Sequence, residues 1–419
     1  MSDKKKFSKI WQLFMIGGLL SVIGLFVGNT SKVVHADQLG MQIGETGNVY
    51  YDTNNIYSLS GTKNGQPWSD ETAAMAVSPD NGSGDKIVFC IAPGVPFFNT
   101  NNPGYEAVDI SQLPQDVQIA SVIWNTHFGF GTSPSGADRI TTQAVIWELL
   151  PQYGIRVDSI SGIPDFQAKK QRLYDGIAAY KRLPEFNQQT VNLKFGETTT
   201  LSSSIDLNSF ETMVGNTAKV NWVVSPDGHS VAITPTDPMV QKGTIAFKRS
   251  YMQGTPIALA KTGSQTVYLP SVKDPANYVV NFDIKTTGEV QIKKVDKETG
   301  MPVPDTKFIV EFSGPNAPET KTVVTDVNGL ASIGEIMHGV HVKATEVNVP
   351  KPYVLGSAVG DTDVVEGEVV AGQTITLVQK NMKEKGQIIV EKTGVESGTN
   401  LWNKLYSLAG NVFEIRKEQ

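Results

Sequence analysis

A pattern that opens at Gly288 returns close to the end of the chain. Gly288-Glu-Val-Gln-Ile-Lys-Lys-Val-Asp-Lys-Glu-Thr-Gly300 is echoed by Gly386-Gln-Ile-Ile-Val-Glu-Lys-Thr-Gly394, and Pro302-Val-Pro-Asp-Thr-Lys-Phe-Ile-Val310 by Ser407-Leu-Ala-Gly-Asn-Val-Phe-Glu-Ile415. Recurrence at a spacing of about 100 residues marks tandem domains of one kind. Both copies open with apolar residues alternating with polar ones, which is the period of a strand with one buried face. A full unit spans 287–384. The second copy, 385–419, ends after two strands, well short of the ~100 residues of an independent sandwich. It reads as the truncated start of a second domain with a mobile tail.

Upstream, Thr190-Val-Asn-Leu-Lys-Phe, Ala218-Lys-Val-Asn-Trp-Val-Val, Val231-Ala-Ile-Thr and Tyr278-Val-Val-Asn-Phe-Asp-Ile alternate in the same way between Gly, Asn, Asp and Pro clusters. That texture predicts an antiparallel β-sandwich spacer over 185–286. Residues 37–184 differ. Val117–Trp124 and Gln143–Leu150 carry apolar residues at three- and four-residue spacing, and a third helix is predicted over 165–180, so this part is α+β. The expected class is therefore a multidomain, mainly β chain: an α+β domain, then Ig-like or prealbumin-like sandwiches.

The chain start sets the compartment. Lys4, Lys5, Lys6 and Lys9 precede an apolar run from Ile10 to Val27, followed by Val34-His35-Ala36. Basic, apolar and small residues in that order predict a signal peptide over 1–36, cleaved after Ala36. The run is also long enough to remain as an anchor, since about 20 apolar residues span a bilayer. With cleavage the protein is secreted, with no later membrane segment, and no Leu-Pro-x-Thr-Gly sorting motif occurs. The 36 basic and 42 acidic residues leave a formal charge of −6 with no basic block. That balance argues against nucleic acid as a partner.

One cysteine, Cys90, lies on the strand-like Lys86-Ile-Val-Phe-Cys-Ile-Ala92. An exported chain normally pairs its cysteines, so an odd one points to chemistry, although a free cysteine is ordinarily a small buried hydrophobe. About 50 residues later comes Thr141-Thr-Gln-Ala-Val-Ile-Trp147. Val88-Phe-Cys-Ile-Ala-Pro-Gly94 and Thr142-Gln-Ala-Val-Ile-Trp147 together resemble the thioester domain of Gram-positive surface adhesins. The resemblance implies that the Cys90 sulfur is acylated by the Gln143 side chain with loss of ammonia. A thioester is an activated acyl group that a lysine amine can attack, with sulfur leaving. Phe89, Trp124, Phe128, Phe130 and Trp147 are candidates for a dry wall about it, and Gln143 is expected early on a helix, near polarising backbone donors.

The rival reading is a cysteine peptidase with His127 as base, but no enzyme signature surrounds Cys90. His229, His338 and His341 show no metal-ligand spacing, so neither a metal nor a cofactor is expected.

The segments Ile292-Lys-Lys-Val-Asp296, Thr325-Asp-Val-Asn-Gly-Leu330, Glu346-Val-Asn-Val-Pro-Lys-Pro-Tyr353 and Ile375–Lys383 resemble the Cna protein B-type domain of Gram-positive adhesins and pilins. Pro352 stands where that family usually has glycine. The resemblance implies an isopeptide between Lys294 and Asn381, assisted by buried Glu346; Lys392 is the equivalent lysine in the second copy. Strict alternation puts Lys294, not Lys293, on the apolar face with Val290 and Ile292. The combined expectation is a non-enzymatic cell-surface adhesin, wall-attached in its full-length form. It would capture a host or matrix protein covalently through a lysine amine, the alternative being a structural pilin-like protein with an inert cysteine.

Overall fold

The structure, a computed structural model, describes residues 40–97, 101–391 and 412–416. The expected signal segment and Lys392 lie outside the described residues. The described chain is mainly β, and its tertiary contacts divide it into two compact units. The first takes residues up to Val191 with 199–233 and 242–282; the second takes 192–198, 234–241 and the chain from Asp283 on.

The first unit opens with strands β1 (Thr46–Lys63), β2 (Gln66–Pro79), β3 (Lys86–Cys90) and β4 (Asn101–Asp109), then helices α1 (Gln115–Ile123) and α2 (Gly136–Glu148), strand β5 (Ile155–Ile160) and helix α3 (Phe166–Lys181). β1 and β2 form a long hairpin closed by Asn64-Gly65, both at positive φ, the geometry that Asn-Gly turns favour. β1 also pairs with β5. At Gly61 the strands approach so closely that a Cβ would stand 1.9 Å from the Arg156 carbonyl oxygen, so a side chain there would force them apart. α2 starts at a capping box: the Ser135 hydroxyl accepts from the Asp138 backbone N–H, and Asp138 accepts from the Ser135 N–H. The helix therefore begins seven residues before Gln143, one turn and more ahead of the apolar period that announces it.

The next strands are β6 (Thr190–Lys194), β7 (Thr199–Ser202), β8 (Thr212–Asn216), β9 (Val220–Val224), β10 (Ser230–Pro235), β11 (Lys242–Lys248), β12 (Ile257–Ala260), β13 (Val267–Leu269) and β14 (Asn277–Lys285). Two sheets hold most of them, in orders β7-β10-β9 and β6-β14-β11-β8. β12 and β13 do not join that sandwich. They insert into the N-terminal sheet, whose order is β2-β3-β13-β12-β4-β1-β5. Residues that the alternation assigns to the spacer thus complete the sheet holding Cys90, with Val267 opposite Cys90 and Tyr268 opposite Phe89. Val267, Tyr268 and Leu269 are all at most 2% exposed and belong to the core of the first sheet.

The second unit contains β15 (Thr287–Asp296), β16 (Lys307–Ser313), β17 (Lys321–Val324), β18 (Leu330–Met337), β19 (His341–Asn348), β20 (Val364–Glu368) and β21 (Thr374–Asn381). They form two sheets, β18-β15-β21 and β17-β16-β19-β20. Val290, Ile292, Phe308, Val310, Val342 and Ala344 fill the core supplied by both. The first and last strands run parallel side by side, with Asp296 across from Asn381 and Lys294 across from Gln379. Residues 386–391, the start of the second copy, are exposed and have no regular structure.

Candidate functional site

Two buried clusters hold the candidate residues, one in each unit. In the first, Cys90 is 1% exposed and Gln143 3%. The β2–β3 ladder stops at Met75 opposite Val88. Because Ile91 N–H bonds to Thr266 O on the β13 side, the N–H and C=O of Cys90 face the β2 side, where no further rung follows. Gln143 fills that place. Its Oε1 accepts from the Cys90 N–H at 2.7 Å and its Nε2 donates to the Cys90 carbonyl at 2.8 Å, so one carboxamide stands in for a strand residue. Trp147, one turn further along α2, donates Nε1–H to the same carbonyl at 3.0 Å.

The donor that polarises the Gln143 carbonyl is therefore the strand backbone. Gln143 lies in the second half of α2, not early on it, so the helix N-terminus supplies nothing. Burial pushes the Cys90 thiol up to about 12, partly offset by hydrogen bonds from the Ala92 backbone and Trp147, with the Asp70 carboxylate adding to the rise. Of the candidate wall, Phe89, Trp124 and Trp147 are buried; Phe89 meets Trp124 edge to face with centroids 6.0 Å apart, and Trp147 meets Trp68 at 6.1 Å. Phe128 and Phe130 belong elsewhere: Phe128 packs on Tyr180 and beneath Arg249, and Phe130 under Lys169 and Arg172. His127 is exposed and stacks on Phe128; it is not among the groups that act on the Cys90 thiol.

In the second unit, Lys294 is 0% exposed, Glu346 2% and Asn381 2%. Lys294 and Asn381 come from adjacent strands of one sheet and Glu346 from β19 of the facing sheet. Lys293 is exposed, as alternation requires. Lys294 Nζ stands 3.4 Å from Glu346 Oε1, while Asn381 Nδ2 donates to Glu346 Oε2 and to the Val354 carbonyl, both at 2.7 Å. Lys294 Nζ, Glu346 Oε1 and Asn381 Oδ1 are buried without a hydrogen-bond partner. Burial lowers the Lys294 ammonium and raises the Glu346 carboxyl, each toward its neutral form. Nothing in sequence alone exposed these three orphaned atoms. Asp296, beside them on β15, goes the other way: backbone N–H groups of Thr299 and Glu298 and the Tyr353 hydroxyl hold it well below the usual carboxylate range.

Among the described residues no group of His, Cys, Asp or Glu is arranged to hold a metal ion, and no helix is long and apolar enough to cross a membrane.

The chain therefore combines a mainly β architecture with a prealbumin-like domain: residues 288–365 match the family model of the SpaA prealbumin-like fold domain. Among solved structures, it is similar to the thioester domain of the Staphylococcus aureus TIE protein, at 20% identity and a TM-score of 0.44, over 57% of this chain and 98% of that one. It is also similar to the Bacillus anthracis TIE protein (15%, 0.37, 81% and 66%) and to the minor pilin GBS52 of Streptococcus agalactiae (15%, 0.21, 41% and 71%). No curated protein sequence matches it.

Proposed function

We propose that this protein is a surface adhesin of a Gram-positive bacterium that binds a protein amine covalently through a Cys90–Gln143 thioester, carried on a domain closed by a Lys294–Asn381 isopeptide. The observation that carries the reading is the reciprocal pair of hydrogen bonds between the Gln143 carboxamide and the Cys90 backbone. In forming the thioester, Cys90 Sγ attacks Gln143 Cδ and the carbonyl oxygen gains negative charge, which the Cys90 N–H at 2.7 Å stabilises. The thiol proton leaves with Nε2 as ammonia. A lysine amine of the ligand later attacks the same carbon; a C–N bond forms, the C–S bond breaks, and the sulfur is released as thiol. Each molecule acts once, so this is binding without turnover.

The stalk reaction is the same exchange with nitrogen as nucleophile. Neutral Lys294 Nζ attacks Asn381 Cγ; protonated Glu346, whose Oε2 already receives the Asn381 Nδ2 hydrogen at 2.7 Å, gives its proton to Nδ2, which leaves as ammonia, and takes back the one shed by Nζ. The new amide N–H and oxygen then have the orphaned Glu346 Oε1 and its proton to pair with. The buried Asn381 Oδ1 without a hydrogen-bond partner, at a cost of about 1–3 kcal/mol, and the imperfectly paired Lys294 Nζ and Glu346 Oε1 favour the joined state.

Intact mass of the mature protein tests both bonds: the expected deficit is two ammonias, one of them regained as methylamine when that amine is added. A full unmodified mass together with immediate labelling of Cys90 by a thiol reagent in the native protein would leave only the pilin-like structural reading.

A further inference from the structure

A cavity of about 370 Å³ lies beside the end of β3, lined by Thr72, Ala73, Gly94, Phe97 and Gln265, with Asp70 and Glu71 along one side. Tyr51 and Ile56 of β1 also line it, and the rest of its wall comes from three chain segments that flank Cys90 in the sheet or in sequence. β2 runs past Cys90 through Ala73 and Thr72 to Asp70, beyond the point where its ladder with β3 stops. Gly94 and Phe97 follow Cys90 in sequence. Gln265 precedes Val267, the residue opposite Cys90, and its carbonyl accepts from the Tyr105 hydroxyl at 2.9 Å. The volume falls in the range of small-ligand sites, ~300–1,000 Å³.

From this juxtaposition we infer that the cavity is the entry groove for the attacking amine, and that Asp70 receives the ligand's lysine ammonium there and takes its proton. This rests on the thioester reading and names the chemistry of its ligand: a cationic primary amine, in a segment that tolerates two carboxylates. The chemistry needs such a group twice. A lysine amine at neutral pH is an ammonium, with no lone pair for attack, and must give up a proton at the site. The thiol released is held up at about 12 by burial, so sulfur leaves well only if it is protonated as the C–S bond breaks. One carboxylate on that path closes the cycle: the ammonium gives its first proton through Asp70 to solvent, the neutral nitrogen attacks Gln143 Cδ, and the second proton, shed by that nitrogen, passes through Asp70 to Sγ as the C–S bond breaks. The sum is thioester plus ammonium giving amide, thiol and one proton released to solvent. Asp70 is within electrostatic reach of the sulfur, and one of its oxygens accepts from the Glu71 N–H at 2.9 Å, which fixes the carboxylate's orientation.

The test compares wild type, Asp70→Asn and Asp70→Glu, each first weighed intact for loss of the Cys90–Gln143 ammonia. Loaded proteins are then treated with cadaverine, a cation at neutral pH, and with hydroxylamine, which is uncharged there. Asp70→Asn is expected to slow cadaverine by about tenfold or more and to make its rate track the free-amine fraction as pH rises, while hydroxylamine changes little and Asp70→Glu restores part of the cadaverine rate. Equal slowing of both nucleophiles, or no slowing of either, overturns the role of Asp70. Absence of the ammonia loss in wild type is a different failure, because it removes the thioester itself and this inference with it.

Discussion

The Cys90 and Lys294 sites set the same two ingredients against each other, a buried nucleophile and a side-chain carboxamide, and differ in where the proton goes. Around Lys294 the acid is inside: Glu346 touches both partners, and burial drives lysine and carboxyl to their neutral forms. Around Cys90, among the described residues, the carboxamide is hydrogen-bonded by backbone and not by an acid, and the Asp70 carboxylate lines the neighbouring cavity. On the proposed reading, nitrogen as the nucleophile runs to an inert amide, whereas sulfur as the nucleophile stops at a reactive thioester until an outside amine arrives. The difference is one of stored reactivity, and each site can be broken separately.

The largest effect is expected at Cys90. Cys90→Ala should abolish methylamine labelling and restore one ammonia to the mass, while the fold survives, because losing one buried sulfur is expected to cost about 1 kcal/mol. Labelling that persists in this variant would mean the reactive group lies elsewhere. The isopeptide deficit should be untouched, which shows the two sites to be independent.

Glu346→Ala should leave Lys294 and Asn381 as separable peptides after digestion. A cross-link closing a loop of this length restricts the unfolded chain by roughly 4–5 kcal/mol on the loop-entropy scale used for disulfides, so the second unit should melt well below wild type. If the variant's peptides are still joined, Glu346 is not the shuttle.

A smaller effect is the pH response of the unjoined site, seen in Asn381→Ala. The folded Lys294 value is lowered, so between it and the ordinary lysine value of ~10.4 the unfolded chain binds more protons and stability rises with pH. The folded Glu346 value is raised, so from the ordinary carboxyl value of ~4.3 up to it the folded chain binds more protons and stability falls as pH rises. The unjoined domain should be least stable between the two folded values and gain on either side. With the proposed isopeptide formed, as expected in wild type, the lysine nitrogen is an amide and cannot titrate, so the alkaline gain should disappear. Urea midpoints of both proteins from neutral pH to about 10 separate the cases; a flat profile for Asn381→Ala would mean that Lys294 is not held neutral.

Much of this was legible locally. A lone cysteine, an apolar helix period through Gln143 and Trp147, and alternation placing Lys294 with Val290 and Ile292 are short-range signals, and each residue is buried where the period puts it. What escaped was non-local. Ile257–Ala260 and Val267–Leu269 are too short to announce which sheet they join, and their partners lie roughly 150 and 180 residues back, so the alternation that marks a strand carries no address. The clasp of Cys90 by Gln143 was hidden for a related reason: it depends on which of the two edges of β3 is left without a rung, a property of register. Ser135-x-x-Asp138 was readable as a helix start and moves Gln143 into the body of α2.

The smallest effect sharpens the account of the loaded state. Before the bond forms, the Cys90 carbonyl receives two hydrogens, from Gln143 Nε2 at 2.8 Å and Trp147 Nε1 at 3.0 Å. Forming the thioester expels Nε2 as ammonia, and of those two donors Trp147 alone remains. Trp147→Phe keeps the aromatic wall and its contact with Trp68 but leaves that buried carbonyl orphaned only after loading, at a cost toward the lower end of ~1–3 kcal/mol. The unloaded form loses one of two bonds and suffers less. Trp147→Phe should therefore fold normally yet carry a mixture of loaded and unloaded molecules by intact mass, with the isopeptide complete in both. A fully loaded population would show that the carbonyl needs no donor once ammonia has gone, and that Trp147 serves the site through its ring alone.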